Sequence, residues 1–157
     1  MVLNFVNGAC MDAELINPQD YELARTQLGA SFTRILGYFR EDGIKSVEEV
    51  EQAMRERNAA ALVRPAHTLK GESRQFGSIA LGDLSERIEM TARHCVEQRT
   101  GPEDLAEDVA ALRACFTRTL AELERNNVGL GPVVTARKPV GGFGRKTVIT
   151  MTGMSRA

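Results

Sequence analysis

The feature of this sequence that most restricts its fold is a long run of amphipathic helical pattern. Between residues 45 and 125 glycine and proline are rare, and apolar side chains recur at spacings of three and four. This spacing is typical of helices that bury one face and expose the other. We therefore predict an all-α fold. The clearest stripe belongs to the last helix and contains Leu105, Val109, Leu112, Phe116, Leu120 and Leu123.

The same periodicity predicts four long helices preceded by one short helix. The short helix covers about 18–28, and three long helices cover about 30–57, 59–77 and 79–99. The last helix begins near Pro102, because proline followed by acidic residues suits a first helical turn. Helices joined by such short turns pack antiparallel. The predicted fold is an up-down four-helix bundle with a short extra N-terminal helix and a non-helical C-terminal tail.

Two residues interrupt the helical pattern and leave the local geometry open. Gly43 lies inside the first long helix, and the capping pattern Ser-Val-Glu-Glu follows it at 46–49, which allows a kink or a restart there. Pro65 has no backbone N–H, so the second long helix either starts at this residue or kinks just before His67.

The charges divide the chain into an acidic body and a basic tail. Residues 127–157 carry five basic side chains and no acid, which leaves 15 basic and 21 acidic residues, a net charge of −6, in the remainder. We predict an N-terminal arm at 1–17, a bundle at 18–126, and a Gly-rich basic tail at 127–157. That tail is expected to be flexible or to form a loose hairpin.

Composition excludes several classes of protein. No apolar run approaches the roughly 20 residues that a membrane helix needs, and the first residues lack the basic and apolar regions of a signal peptide. We therefore expect a cytoplasmic protein that does not bind membranes. Aromatic residues make up only 5% of the chain, with no Trp, so a nucleic-acid interface built on base stacking is not favoured.

The cysteines do not predict a disulfide or a metal site. Cys10, Cys95 and Cys115 form an odd, scattered set without a CxxC pair. Such spacing argues against a disulfide framework and against a zinc site. We expect buried or incidental thiols, and we predict no metal and no cofactor.

The segment 59–77 carries the most informative polar face of the chain. Its apolar stripe runs from Leu62 to Phe76, while its other face combines basic residues with one histidine and one glycine. Residues three and four apart share a face of a helix, so His67 should be exposed beside cations that attract an anion. An uncharged imidazole is a nucleophile. The residues of this face are Arg64, His67, Lys70, Gly71 and Arg74.

These residue types suit a histidine that accepts a phosphoryl group. Lys70 would neutralise the phosphoryl oxygens, and Gly71 would leave room for the group or for a partner's backbone. An ordinary surface histidine fits the same pattern, so the residues alone leave both interpretations open. The other histidine, His94, lies near a helix end, where a cation suits the helix dipole, and we expect no catalytic role for it.

The segment AHTLKGESRQFG resembles the signature of histidine-containing phosphotransfer (HPt) domains, approximately H-x-L-K-G-x-x-x-x-x-G within a helical bundle. The resemblance extends over about 18–125 through the order and lengths of the helices. It implies that the histidine is phosphorylated, that the lysine stabilises the phosphohistidine, and that the glycines allow close approach and tight packing. The matching residues are His67, Leu69, Lys70, Gly71 and Gly77.

The resemblance also identifies supporting residues and one departure. Family members often carry a polar residue 22 positions after the histidine, which is Glu89 here. An acid at that position helps only if it holds Lys70 or the imidazole. Many members have small residues after the glycine, whereas this chain has Glu-Ser-Arg-Gln at 72–75. Glu72, Arg74 and Gln75 are therefore expected to alter the docking surface.

The implied function is that of a phosphoryl carrier and not of an enzyme. The sequence has no P-loop or Gly-rich nucleotide lid, so ATP and Mg²⁺ are expected on partner proteins. The implied partners are response-regulator receiver domains, and a hybrid histidine kinase is a further candidate. Two alternatives remain at this point. One is a non-phosphorylated adaptor or inhibitor of receivers or kinases, and the other is a dimerisation or nucleic-acid-binding module that uses the basic tail.

Overall fold

A computed structural model of the chain describes Cys10 and residues 14–128, and within these residues it contains helices and no strand. The tail predicted at 127–157 lies almost entirely outside the described residues, as does most of the arm, and this division of the chain stays a prediction. No described helix is long and apolar enough to cross a bilayer. The helices are α1 Pro18–Leu28, α2 Phe32–Arg55, α3 Ala59–Gln75, α4 Ile79–Gln98 and α5 Ala106–Val128.

The helices form the predicted antiparallel bundle, so the predicted fold class is confirmed. Helix α2 packs against α3 and α5, and α4 packs against the same two helices, while α1 lies across α2 and α3. A row of aromatic rings links α1, α2, α5 and the end of α3, with neighbouring centroids between 5.3 and 5.6 Å apart. Edge and tilted ring contacts of this kind stabilise a core beyond their buried area. The rings belong to Tyr21, Phe32, Phe76, Phe39 and Phe116.

Side-chain caps start two of the helices. Before α1, the side chain of Asn17 accepts hydrogen bonds from the N–H groups of Gln19 and Asp20, at 2.9 and 3.1 Å. Before α3, the side chain of Asn58 accepts one from the N–H of Ala61 at 3.1 Å. These bonds satisfy N–H groups that have no partner within the helix. The second cap fixes where the helix that carries His67 begins.

Gly43 does not break α2, which runs without interruption from Phe32 to Arg55. This glycine is buried against the ring of Phe116 on α5, and a Cβ atom at position 43 would lie 2.7 Å from the Cζ atom of that ring. The missing side chain therefore serves the close approach of two helices. The sequence showed a weak helix former and could not show the ring that requires it.

Pro65 lies inside α3, which begins at Ala59, so Pro65 does not start this helix. The N–H that proline lacks would have bonded to the carbonyl four residues earlier. That carbonyl belongs to Ala61, an exposed residue, where water can take the place of the missing donor. The helix continues through Pro65 to His67.

Gly77 ends α3 and attaches α1 to the bundle. Its φ of 71° is in the left-handed region that favours glycine. A Cβ atom there would meet the Cβ atom of Asp20 at 2.8 Å, and the carbonyl of Gly77 accepts a hydrogen bond from the N–H of Asn17 at 2.8 Å. This glycine therefore provides both a turn and a close contact between α1 and the α3–α4 connection.

The cysteines differ from the sequence expectation. The structure joins Cys10 and Cys115 in a disulfide across 105 residues of sequence, while Cys95 is a free and buried thiol. Arg118, one turn further along α5, donates a hydrogen bond to the carbonyl of Cys10. Because the pairing depends on the position of Cys10 beside α5, no local spacing pattern in the sequence could indicate it.

Candidate functional site

The histidine of the candidate site lies midway along α3 and is exposed. The side chain of His67 is 62% accessible, whereas the neighbouring Ala66 and Leu69 are fully buried in the core. Helical periodicity explains this, because residues 66 and 69 belong to the apolar stripe and residue 67 does not. The imidazole therefore projects from a rigid helix at the surface, next to α4.

Glu89 of α4 contacts both His67 and Lys70. Its carboxylate oxygen Oε1 lies 3.0 Å from His67 Nδ1, and its Oε2 lies 2.7 Å from Lys70 Nζ. The contact with Lys70 is an ion pair without the geometry of a hydrogen bond, and Oε2 accepts no hydrogen bond from another described side chain. The side chain of Glu89 is only 4% exposed. A buried carboxylate needs such partners, because burial without them is costly.

Arg93 is the third group on this carboxylate. Its Nε and Nη2 atoms donate to Glu89 Oε1 at 3.1 and 2.9 Å, from one turn further along α4. Burial by itself would raise the pKa of Glu89, but its contacts with Lys70, Arg93 and His67 outweigh it and lower the pKa to about 2. Glu89 is therefore an anion at physiological pH.

An ionised Glu89 determines which nitrogen of His67 carries the hydrogen. A carboxylate only accepts hydrogen bonds, so we infer that Nδ1 donates to it and that the uncharged ring keeps its lone pair on Nε2. The ring is held by its inner nitrogen, and the outer nitrogen is available to attack. This arrangement provides an oriented nucleophile at the surface.

From the sequence we expected His67 to be surrounded by cations. In the structure, two of these cations are paired with carboxylates. Lys70 is engaged by Glu89, and Arg74 is engaged by Glu86 at 2.7 Å and by Asp83 at 3.6 Å. An exposed Arg64 lies one turn before His67. The sequence reasoning missed Arg93 and Glu86. The signal that could have identified Arg93 was its spacing of four residues from Glu89.

Gly71 and Gly77 have different surroundings. A Cβ atom at Gly71 would have no atom within 4 Å, so this exposed glycine leaves an open surface one turn after His67. Gly77 instead fits a tight turn at the end of α3. Only the first glycine lies where it can affect the approach of a partner to the imidazole.

Glu72, which the sequence placed on the docking surface, is not fully exposed. It is partly buried on the side of α3 that faces α2, and its Oε2 atom accepts no hydrogen bond from a described residue. Burial raises the pKa of Glu72 to about 7, with a further contribution from the negative charge of Asp42. This partly buried carboxyl group therefore lies close enough to Asp42 of α2 to respond to its charge.

Replacing Glu72 by glutamine should stabilise the fold at alkaline pH. As pH rises from 4.5 to about 7, the unfolded chain loses this proton while the folded chain keeps it, so stability falls across this interval. Glu72→Gln removes that loss, and we expect its free energy of unfolding to exceed that of the wild type by about 1 kcal/mol at pH 8, after allowance for partial solvent access. Urea unfolding at pH 5 and pH 8 measures the difference.

The matched control is Glu97→Gln, which removes an exposed carboxylate of α4. It should leave both the stability and its pH dependence nearly unchanged. A Glu72→Gln variant whose advantage is the same at pH 5 and pH 8 would show that this carboxyl group is ionised throughout.

The other candidate groups do not form a second site. His94 is exposed while its neighbour Cys95 is buried, so the two side chains point apart. Among the described residues, no three His, Cys, Asp or Glu side chains are grouped so that they could hold a metal ion. His94 therefore has no arranged partner in this part of the chain.

The fold and the site together define a helical bundle that exposes the imidazole of His67 beside a buried carboxylate and a lysine. The sequence model of the Hpt domain matches residues 34–125, more than half of the chain. The chain belongs to the Hpt domain family, and the predicted resemblance is confirmed. Hpt domains are phosphoryl carriers that interact with receiver domains and hybrid kinases. The function is histidine phosphotransfer in a phosphorelay, and the adaptor and nucleic-acid alternatives are not favoured.

Two solved structures share the fold. Histidine-containing phosphotransfer protein B (HptB) from Pseudomonas aeruginosa PAO1 is 18% identical, with a TM-score of 0.64 over 76% of this chain and 99% of that one. The HPT domain of the Hpt sensor hybrid histidine kinase from Shewanella is 19% identical, with a TM-score of 0.57 over 74% of this chain and 97% of that domain. At these identities the likeness concerns the fold. No curated protein sequence matches the chain.

Proposed function

We propose that His67 is the residue that carries the phosphoryl group, between aspartates of receiver domains. The observation that supports this most directly is the exposed imidazole whose Nδ1 lies 3.0 Å from the buried carboxylate of Glu89. That contact directs Nε2 outward, and the side chain is accessible enough to enter the active site of another protein. Among the described residues, His94 has no such support.

The proposed transfer is a direct displacement at phosphorus. The lone pair of His67 Nε2 attacks the phosphorus of a receiver's aspartyl phosphate, the N–P bond forms, and the P–O bond to the aspartate breaks. The electron pair of that bond leaves with the aspartate carboxylate. An aspartate of a second receiver reverses these steps. The carrier's part is to present one nucleophile in a fixed orientation.

Glu89 and Lys70 have complementary roles in this proposal. Attack by Nε2 leaves the ring positively charged with hydrogen still on Nδ1, and the Glu89 carboxylate stabilises that charge. Lys70 has its ammonium group at the same carboxylate and within one helical turn of the histidine. It would offset the negative charge of the incoming phosphoryl oxygens. Gly71 leaves space for the partner, and Arg64 adds positive charge to the approach, whereas Arg74 is paired with Glu86 and Asp83.

The remaining chemistry would belong to the partner proteins. Receiver domains would supply the aspartate, its acidic pocket and Mg²⁺, and a hybrid histidine kinase would supply the phosphoryl group from ATP. This chain would then need no cofactor of its own. Because ATP and receiver domains occur together in the cytoplasm, we also propose a cytoplasmic location.

Transfer from phosphorylated receivers tests the proposed function. The full chain is mixed with each radiolabelled phospho-receiver of the same organism. The label should move to this chain faster than the receiver loses it when incubated alone. The product should be acid-labile and alkali-stable, as expected for phosphohistidine. If no receiver of the complete panel donates its label while an established HPt protein accepts it, the proposal is wrong.

Replacing Lys70 by alanine should slow the transfer without unfolding the bundle. Loss of one charge-assisted contact with a transferring group corresponds to about a tenfold slower rate. The rate from a saturating phospho-receiver and the thermal melting curve measure the two effects. Lys45→Ala, which removes an exposed lysine of α2, is the control and should transfer at the wild-type rate. Equal rates for the two variants would remove Lys70 from the site.

A further inference from the structure

Arg93 shares one carboxylate oxygen with the histidine. Its Nε and Nη2 atoms lie 3.1 and 2.9 Å from Glu89 Oε1, the same oxygen that lies 3.0 Å from His67 Nδ1. Lys70 instead contacts Oε2. The guanidinium group is half exposed, whereas the carboxylate is buried. Arg93 is therefore the cation that competes most directly with the imidazole for negative charge.

This competition bears on how readily His67 takes up a second proton. A buried carboxylate beside an imidazole favours the imidazolium form. An imidazolium has no free lone pair and cannot attack phosphorus. A cation on the same oxygen reduces the charge that the ring experiences, and two of its N–H groups also fix the carboxylate in place. For the ring to act as a nucleophile, Glu89 must orient it without favouring its protonated form.

We propose that Arg93 is a positioning residue that acts through Glu89, holding the carboxylate for Nδ1 of His67 while limiting protonation of the ring. The inference rests on the proposed role of His67 and adds a residue outside the HxLKG segment. It predicts a specific dependence of phosphotransfer on pH. Removing the charge of Arg93 should leave the imidazole able to attack phosphorus. Its uncharged form, however, should then predominate only at higher pH.

The other charges near the ring do not substitute for Arg93. On α3 these are Arg64, Lys70 and Arg74, and Arg74 is already paired with Glu86 of α4. Glu86 also approaches Lys70 at 3.9 Å. In the described part of the chain, α2 and α5 bring no charged group within ion-pair distance of Glu89, whose partners all lie on α3 and α4. Lys70 remains as the second cation on Glu89.

The experiment compares Arg93→Gln and Arg93→Lys with the wild type in the full chain. Gln keeps a hydrogen-bond donor but removes the charge, and Lys keeps the charge. The transfer rate at a saturating concentration of one phospho-receiver is followed from pH 5.5 to 9, and the ring protons of His67 are titrated by NMR. Arg87→Gln is the matched control, because Arg87 is an α4 arginine that pairs with Asp108 of α5, away from the site.

We expect the midpoints of both pH curves to move upward in Arg93→Gln by about half a unit or more. Its rate on the alkaline plateau should stay within about twofold of the wild type, and Arg93→Lys should restore most of the midpoint. Arg87→Gln should superimpose on the wild type. Melting curves of all variants establish that they are folded at the assay temperature.

Two results would overturn the inference while leaving His67 as the acceptor. Unchanged midpoints with a slower rate at every pH would make Arg93 a docking or structural residue. Unchanged midpoints and rates would make it dispensable. If instead the wild type accepts label at a residue other than His67, the proposed function itself is wrong, and the inference is wrong with it. The wild-type assay therefore separates the two failures.

Discussion

The His67→Gln variant is expected to accept no phosphoryl group from any receiver that phosphorylates the wild type. The lone pair of an amide nitrogen is delocalised into its carbonyl, so glutamine provides a polar side chain without a nucleophile. Its NH₂ group can still donate to Glu89, which keeps the buried carboxylate partnered. Loss of transfer should therefore reflect lost chemistry, and a melting curve close to that of the wild type would support this. Retention of label on the purified protein is the measurement.

His94→Gln is the matched control for this prediction, because His94 is the other of the two histidines of the chain. It is exposed on α4 without an arranged partner, and its replacement should leave the rate and extent of labelling unchanged. Label on the His67→Gln variant, or loss of label in His94→Gln alone, would show that His67 of α3 is not the phosphoryl acceptor. Mapping the alkali-stable label to a peptide would then identify the true acceptor.

The largest effect on stability is expected from Gly43→Ala. The added methyl group would lie 2.7 Å from the Cζ atom of Phe116, whose ring is itself packed against Phe39 with centroids 5.6 Å apart. Neither α5 nor this ring can move without opening the core, so the cost of overpacking exceeds the gain in helix propensity. We expect a loss of about 2 kcal/mol in the free energy of unfolding. Urea unfolding followed by circular dichroism measures it.

Gly37→Ala provides the same substitution in the same helix with the opposite expectation. Gly37 is exposed, and a Cβ atom there would have no atom within 4 Å. Alanine should then stabilise α2 by up to about 1 kcal/mol, because it restricts the unfolded chain and favours the helix. If both variants lose stability equally, the contact between Gly43 and Phe116 is not what determines the effect at position 43.

Periodicity alone was enough to predict the bundle. The stripes fixed which faces are buried, and they separated His67 from Leu69 on opposite sides of one helix. The start of α3 was also predicted from periodicity, since the expected helix at about 59–77 begins at Ala59 in the structure. These features depend on residues within a few positions of each other, which is the range over which sequence patterns carry physical information.

The parts that could not be predicted depend on contacts between helices. Whether Glu89 reaches His67, Lys70 or neither depends on the register of α3 against α4 and on side-chain rotamers. The same holds for Gly43, which is a helix interruption in sequence and a packing contact in the structure. The disulfide between Cys10 and Cys115 spans 105 residues, so only the tertiary fold brings its ends together.

The proposed phosphoacceptor, its carboxylate and both of their cations come from one helical hairpin, α3 and α4. Their assembly requires two adjacent segments to align and no contribution from the chain ends, so bringing them together costs little loop-closure entropy. Across small proteins, contacts of short sequence separation go with fast folding. The groups of the proposed site therefore come from α3 and α4 alone, and α2 and α5 contribute to it by packing against this hairpin.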